Sequence, residues 1–150
     1  MKMKILFVLS MTLGYLEASE KSVTVEVPCH QRNSKGECTS WGAMVQGCEG
    51  PCSINFSVPF LGSASCSAQA GKSCNAILPA ATSQGTTHAN IPCITNDDSG
   101  KCIRWGSMNQ GCKAPADGKC QTNLAIGDKR AICNAEPGAS CNSNIRMKLP

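Results

Sequence analysis

Twelve cysteines fall into two copies of one six-cysteine frame, and this constrains the chain more than any other feature. The first frame is Cys29, Cys38, Cys48, Cys52, Cys66 and Cys74; the second is Cys93, Cys102, Cys112, Cys120, Cys133 and Cys141. The intervening residues match as well. Cys38-Thr-Ser-Trp-Gly-Ala-Met-Val-Gln-Gly-Cys48 aligns with Cys102-Ile-Arg-Trp-Gly-Ser-Met-Asn-Gln-Gly-Cys112, and Cys66–Asn75 aligns with Cys133–Asn142. Self-similarity of this kind reads as tandem duplication. Copy two has four extra residues between its third and fourth cysteines, so Lys113 to Lys119 reads as a surface loop that accepts insertion.

The start of the chain reads as a secretory signal peptide. Lys2 and Lys4 precede an apolar run, Ile5 to Leu13, that is too short to span a bilayer. Cleavage is expected after Ala18 or Ser19. Secretion and cysteine number support each other, because thiols delivered to an oxidising compartment pair. All twelve are therefore expected in disulfides, and no metal or cofactor is expected. A zinc reading lacks a Cys-x-x-Cys bite, and the two histidines, His30 and His88, have no counterparts in the other copy. Six cysteines per copy allow fifteen pairings, which the sequence leaves open.

The expected organisation is a signal peptide over 1–18, a first repeat over 19–79, a linker over 80–90 and a second repeat over 91–150. Each repeat is too short for a secure hydrophobic core. Three disulfides, at about 2–4 kcal/mol each, would supply what the core lacks. Val23, Val25 and Val27 alternate with Thr24 and Glu26 as in a half-buried strand. Ile54, Phe56, Val58 and Phe60 alternate too, with Thr122, Leu124 and Ile126 as counterparts, and Pro59 places that strand at a sheet edge or near its end. No helical period is sustained. The expected fold is small, disulfide-rich and mainly β, built of two tandem six-cysteine repeats of short strands and turns, with little helix outside the signal peptide. The linker permits either two independent domains or a packed pair whose second member opens with Thr87 to Ile91. Of these, the expectation to test is that either copy folds alone once oxidised.

Trp41 and Trp105 share one place, Trp-Gly-x-Met-x-Gln-Gly-Cys. A tryptophan there serves best as the largest piece of a small core, with a ligand-stacking ring as the alternative. Gly42, Gly47, Gly106 and Gly111 are expected to meet backbone demands at turns. Asn33 to Gly36 and Asp97 to Gly100 also read as turns. Asn55-Phe-Ser57 is an N-glycosylation sequon whose counterpart, Asn123-Leu-Ala125, lacks the acceptor hydroxyl.

Lys/Arg outnumber Asp/Glu by fourteen to ten, a balance that does not suggest a nucleic-acid binder. The excess lies in copy two, and Lys113, Lys119, Lys129 and Arg130 are the candidate partner contacts. Catalysis is not expected. No base is placed beside a nucleophile, and the acidic residues are scattered.

In general character the chain resembles small secreted cysteine-rich proteins, including the effectors that plant-associated fungi deliver to hosts. The resemblance rests on size, secretion and cysteine density. It implies an extracellular, non-enzymatic interaction protein whose disulfide-hardened surface engages an extracellular protein of a host or of the environment. A protease inhibitor presenting a basic loop of copy two is the alternative. Antimicrobial action and polysaccharide binding through the tryptophans are further ones.

Overall fold

The computed structural model describes residues 21–146, so the signal-peptide and cleavage readings lie outside the described residues. Ten strands follow in chain order, with no helix among the described residues. They are β1 (Ser22–Arg32), β2 (Cys38–Glu49), β3 (Cys52–Val58), β4 (Gly62–Ala68), β5 (Ser73–Pro79), β6 (Thr86–Asn96), β7 (Cys102–Lys113), β8 (Cys120–Ile126), β9 (Lys129–Ala135) and β10 (Ser140–Ile145). The protein is thus a small disulfide-rich β fold. β6 begins inside the segment expected to be a linker, so residues 86–90 are sheet.

Four of these strands are longer than expected. β2 and β7 each run for 12 residues through sequence that looks like a loop. The reason is burial on both faces. β2 turns Trp41, Ala43 and Val45 to one apolar cluster and Met44 and Cys48 to another. A strand covered on both sides has no reason to alternate polar with apolar residues. Its glycines then look like turn residues although they lie within the ladder.

β2 and β7 pair antiparallel about the partners Met44 and Met108. β1 and β6 pair antiparallel about Val25 and Ala89. Beyond Pro28, β1 leaves β6 and pairs with β2 from Cys29 opposite Trp41. Beyond Pro92, β6 likewise pairs with β7 from Cys93 opposite Trp105. Each crossing carries register irregularities, the device by which a strand bends from one partner to the next. The ring β1–β2–β7–β6 therefore closes on itself, with β5 along β2 and β10 along β7. Closure removes the edges that four long strands would otherwise expose.

One core fills this ring: Val25, Val27, Trp41, Ala43, Val45, Ala89, Ile91 and Trp105. It draws on both halves of the chain. Each half alone would lack about half of its apolar partners. The shared core therefore argues against the expectation that either copy folds alone.

The two halves also lock through their tryptophans. Trp41 Nε1 donates to Asn142 Oδ1 at 2.9 Å, and Trp105 Nε1 donates to Asn75 Oδ1 at 2.7 Å. Each indole thus bonds to the asparagine that follows the sixth cysteine of the other half. Gly47 and Gly111 make room for this exchange. A Cβ on Gly47 would overlap the Trp105 indole, and one on Gly111 would overlap that of Trp41. Their role is close approach in mid-strand, which corrects the turn reading. The turns expected at Asn33 and Asp97 are present. Asn33 Oδ1 accepts from the backbone N–H of Lys35 and Glu37, and Asp97 Oδ1 from those of Ser99 and Lys101.

The disulfides join neighbouring cysteines in both halves. They are Cys29–Cys38, Cys48–Cys52 and Cys66–Cys74, then Cys93–Cys102, Cys112–Cys120 and Cys133–Cys141. Each bridges one connection between consecutive strands. The four extra residues of the second half are absorbed inside one bridge, whose separation rises from 4 to 8.

Two hairpins stand on the outer faces of the ring. That of β3 and β4 is seated by Ile54 and Phe56, which pack on Met44, Ala76 and Leu78. Burying such side chains stabilises by about 1.5–3 kcal/mol each. In the hairpin of β8 and β9, Thr122 and Leu124 stand at the corresponding places. Thr122 Oγ1 meets Ser143 Oγ at 2.8 Å, with both residues buried.

Candidate functional site

The tips of the hairpins carry residues that the core does not use. β3 ends at Val58, and the chain turns through Pro59, Phe60 and Leu61 before β4. The turn is closed by the Leu61 N–H, which donates to the Val58 carbonyl oxygen at 3.1 Å. Phe60 has φ 68°, the left-handed region that a bulky side chain rarely enters. Its ring is fully exposed, and Leu61 beside it is 57% exposed. The expectation that Phe60 continues the buried alternation of β3 is therefore corrected. Pro59 ends the ladder, and a short turn reverses the chain at this point.

The matching turn of the second half is Gly127-Asp128, after which Lys129 and Arg130 open β9. All four residues are exposed. Lys129 pairs with Ile126 and Arg130 with Ala125, so both basic residues lie within the ladder of a tight hairpin. One tip is thus apolar and the other charged.

The remaining candidate contacts lie apart from that tip. Lys113 closes β7 and forms an ion pair with Glu37 of the first half. This bond holds the Glu37 carboxyl below its ordinary value of 4.5. Lys119 lies 3.4 Å from Glu136, with both side chains largely exposed. The four candidates do not converge on one spot. Glu49 and Lys101 form a further ion pair between the halves, and Glu49 raises the Lys101 ammonium above its ordinary 10.5. Asp97 is held below its ordinary 3.8, first by the Ser99 hydroxyl and then by backbone N–H groups.

Trp41 and Trp105 are 6% and 4% exposed, so neither presents a face on which a sugar could stack. Asn55 and Ser57 are exposed on the outer side of β3, where a glycan on Asn55 would point into solvent. Two groups of three cysteine sulfurs lie close together: Cys48, Cys52 and Cys74, and Cys112, Cys133 and Cys141. Every one is in a disulfide and offers no thiolate to a metal. His30 Nε2 lies 2.9 Å from the Gly42 carbonyl oxygen, and His88 is exposed on β6.

The apolar tip was legible in principle. Pro59-Phe60-Leu61 places two large apolar residues where a turn between strand runs calls for small polar ones. Reading the alternation through Pro59 concealed it. No family model, curated protein or solved structure matches the chain. Among the described residues no helix is long and apolar enough to cross a membrane.

Proposed function

We propose that this chain is a secreted, non-enzymatic binding protein that engages an extracellular protein chiefly through the Phe60–Leu61 tip. The observation that carries the reading is Phe60 itself. A fully exposed aromatic ring on a left-handed backbone contributes nothing to the core and costs conformational energy. Exposed apolar groups of this kind suit the centre of an interface, where aromatic anchors dominate binding. Six disulfides and a closed ring hold the tip on a rigid support, which limits the ordering cost of association. Secretion is supported by the full pairing of the cysteines.

The test uses the oxidised protein as bait in the extracellular fluid into which it is secreted. Parallel baits carry Phe60→Ser with Leu61→Ser, or Lys129→Ser with Arg130→Ser. The expected result is a saturable protein partner kept by the wild type and by the basic-tip variant, and lost with the apolar-tip variant. Loss with the basic-tip variant alone would move the contact to the other hairpin. Retention of no protein by any bait would defeat the proposal.

A further inference from the structure

A cavity of about 240 Å³ opens between the two hairpins, over the centre of the β2–β7 pair. Its apolar wall includes Met44, Met108, Leu61, Leu78 and Leu124. It is smaller than the roughly 300–1,000 Å³ typical of pockets for drug-sized ligands. Two further lining residues, His30 and Gln110, are of a different kind. His30 Nδ1 and Gln110 Oε1 are both buried and both lack a hydrogen-bond partner. With His30 Nε2–H donated to Gly42, Nδ1 is left as an acceptor in the neutral ring. Gln110 Oε1 is an acceptor by nature. The two residues flank Gly42. A Cβ there would lie 3.6 Å from His30 Nε2 and 3.6 Å from Gln110 Cα. Asn109 also lines the cavity and its Oδ1 is unpaired, but its side-chain amide donates toward Asn142 and Asn144 on the tryptophan side.

Buried acceptors without donors are costly and uncommon. Two of them beside an apolar cavity define the chemistry of what completes it. We propose that this cavity binds a small molecule with an apolar body and one hydroxyl group. The body lies against Met44, Met108 and the leucines, and the hydroxyl donates to Gln110 Oε1 or His30 Nδ1. Both acceptors are closed to solvent in this arrangement, so binding turns the Gln110 amide toward the cavity, or turns the imidazole at the expense of its Nε2–H bond to Gly42. The equivalent place beside Gly106 keeps the amide, as Gln46, and lacks the imidazole. Ile94 stands where His30 stands, and its Cδ1 comes within 3.4 Å of where a Cβ on Gly106 would lie. An isoleucine is therefore already accommodated at this place in the fold, which makes His30→Ile a conservative probe.

The experiment compares 1-hexanol, its methyl ether and hexanoate on the full oxidised protein. Binding is read from the methyl resonances of Met44, Met108 and Leu61. Hexanol is expected to shift these resonances saturably. The ether, which keeps the oxygen and loses the donor, should bind about three- to tenfold more weakly, the worth of one neutral hydrogen bond. His30→Ile should narrow that ratio. If this variant does not fold, the alcohol-to-ether ratio of the unaltered protein decides alone. Equal affinity for alcohol and ether, absence of saturable shifts, or tighter binding of hexanoate would each overturn the proposal. The Phe60–Leu61 proposal would survive any of these outcomes, because its readout is a protein partner.

Discussion

The two halves share an interior and differ at the periphery. Trp41 and Trp105, Gly47 and Gly111, and Asn75 and Asn142 occupy equivalent places and make equivalent contacts across the molecule. The charged residues beside the second and third cysteines do the opposite. The first half supplies Glu37 and Glu49, and the second supplies Lys101 and Lys113 at the same positions. The tips diverge in the same way, with Phe60 and Leu61 on one and Asp128, Lys129 and Arg130 on the other. The tryptophan and glycine places cannot drift because each indole fills a gap left by a glycine of the other half, whereas other buried places do differ, Ala43 against Ser107 and Val45 against Asn109. The ion pairs make each half fit the other better than a second copy of itself, since pairing like with like would oppose carboxylate to carboxylate. The tips are constrained by neither the core nor the ion pairs.

The largest effect should come from separating the halves. Residues 21–79 alone lack Ala89, Ile91 and Trp105, and so lose a large part of the ring core. The oxidised fragment should show collapsed amide dispersion in an NMR spectrum. A well-dispersed monomer would break the claim that the interior is shared, and a homodimer as stable as the intact protein would break the claim that the charges favour the other half over a second copy.

An intermediate effect should distinguish the two indole bonds. Asn75→Ala and Asn142→Ala each leave a buried indole N–H without its acceptor, at a cost of about 1–3 kcal/mol. Asn142 also accepts from Asn109 Nδ2 at 3.2 Å, so its loss should cost more than that of Asn75. Denaturant midpoints of the two variants would show this order. Equal midpoints would mean that the Asn109 bond adds nothing.

The smallest effect concerns the ion pairs, which are exposed enough for solvent to screen. Glu37 has a folded value below its ordinary 4.5, so its contribution is present above that value and is lost as pH falls through the folded one. Lys101 has a folded value above its ordinary 10.5, so its contribution is present below that value and is lost as pH rises through the folded one. Thermal midpoints should therefore fall slightly at both extremes. Glu37→Gln should flatten only the acid limb, and Lys101→Gln only the alkaline one. A variant that flattens both would show that the two pairs are not independent.

The β content, the strand of alternating valines and the turns at Asn33 and Asp97 were legible because each depends on residues close in sequence. β2 and β7 were not, because burial on both faces erases the alternation by which a strand is read. Gly47 and Gly111 misled for a related reason. What a glycine makes room for lies in another strand, and only the fold brings Trp105 or Trp41 there. Phe60 was drawn into a strand by its spacing, although Pro59 already marks the end of the ladder. Of the candidate contacts, the sequence could show that Lys113 is basic but not that Glu37 lies beside it.

By itself, then, the sequence determined the material of this protein. It is a chain with few large apolar residues and twelve cysteines, which must be held by disulfides and short-range pairing because little else is available. Only the tertiary structure decided how the two frames are joined. The ring closes through pairings between strands far apart in the chain, and the indole bonds span 101 and 30 residues. Such contacts depend on the simultaneous placement of both partners, which no local pattern of residues encodes.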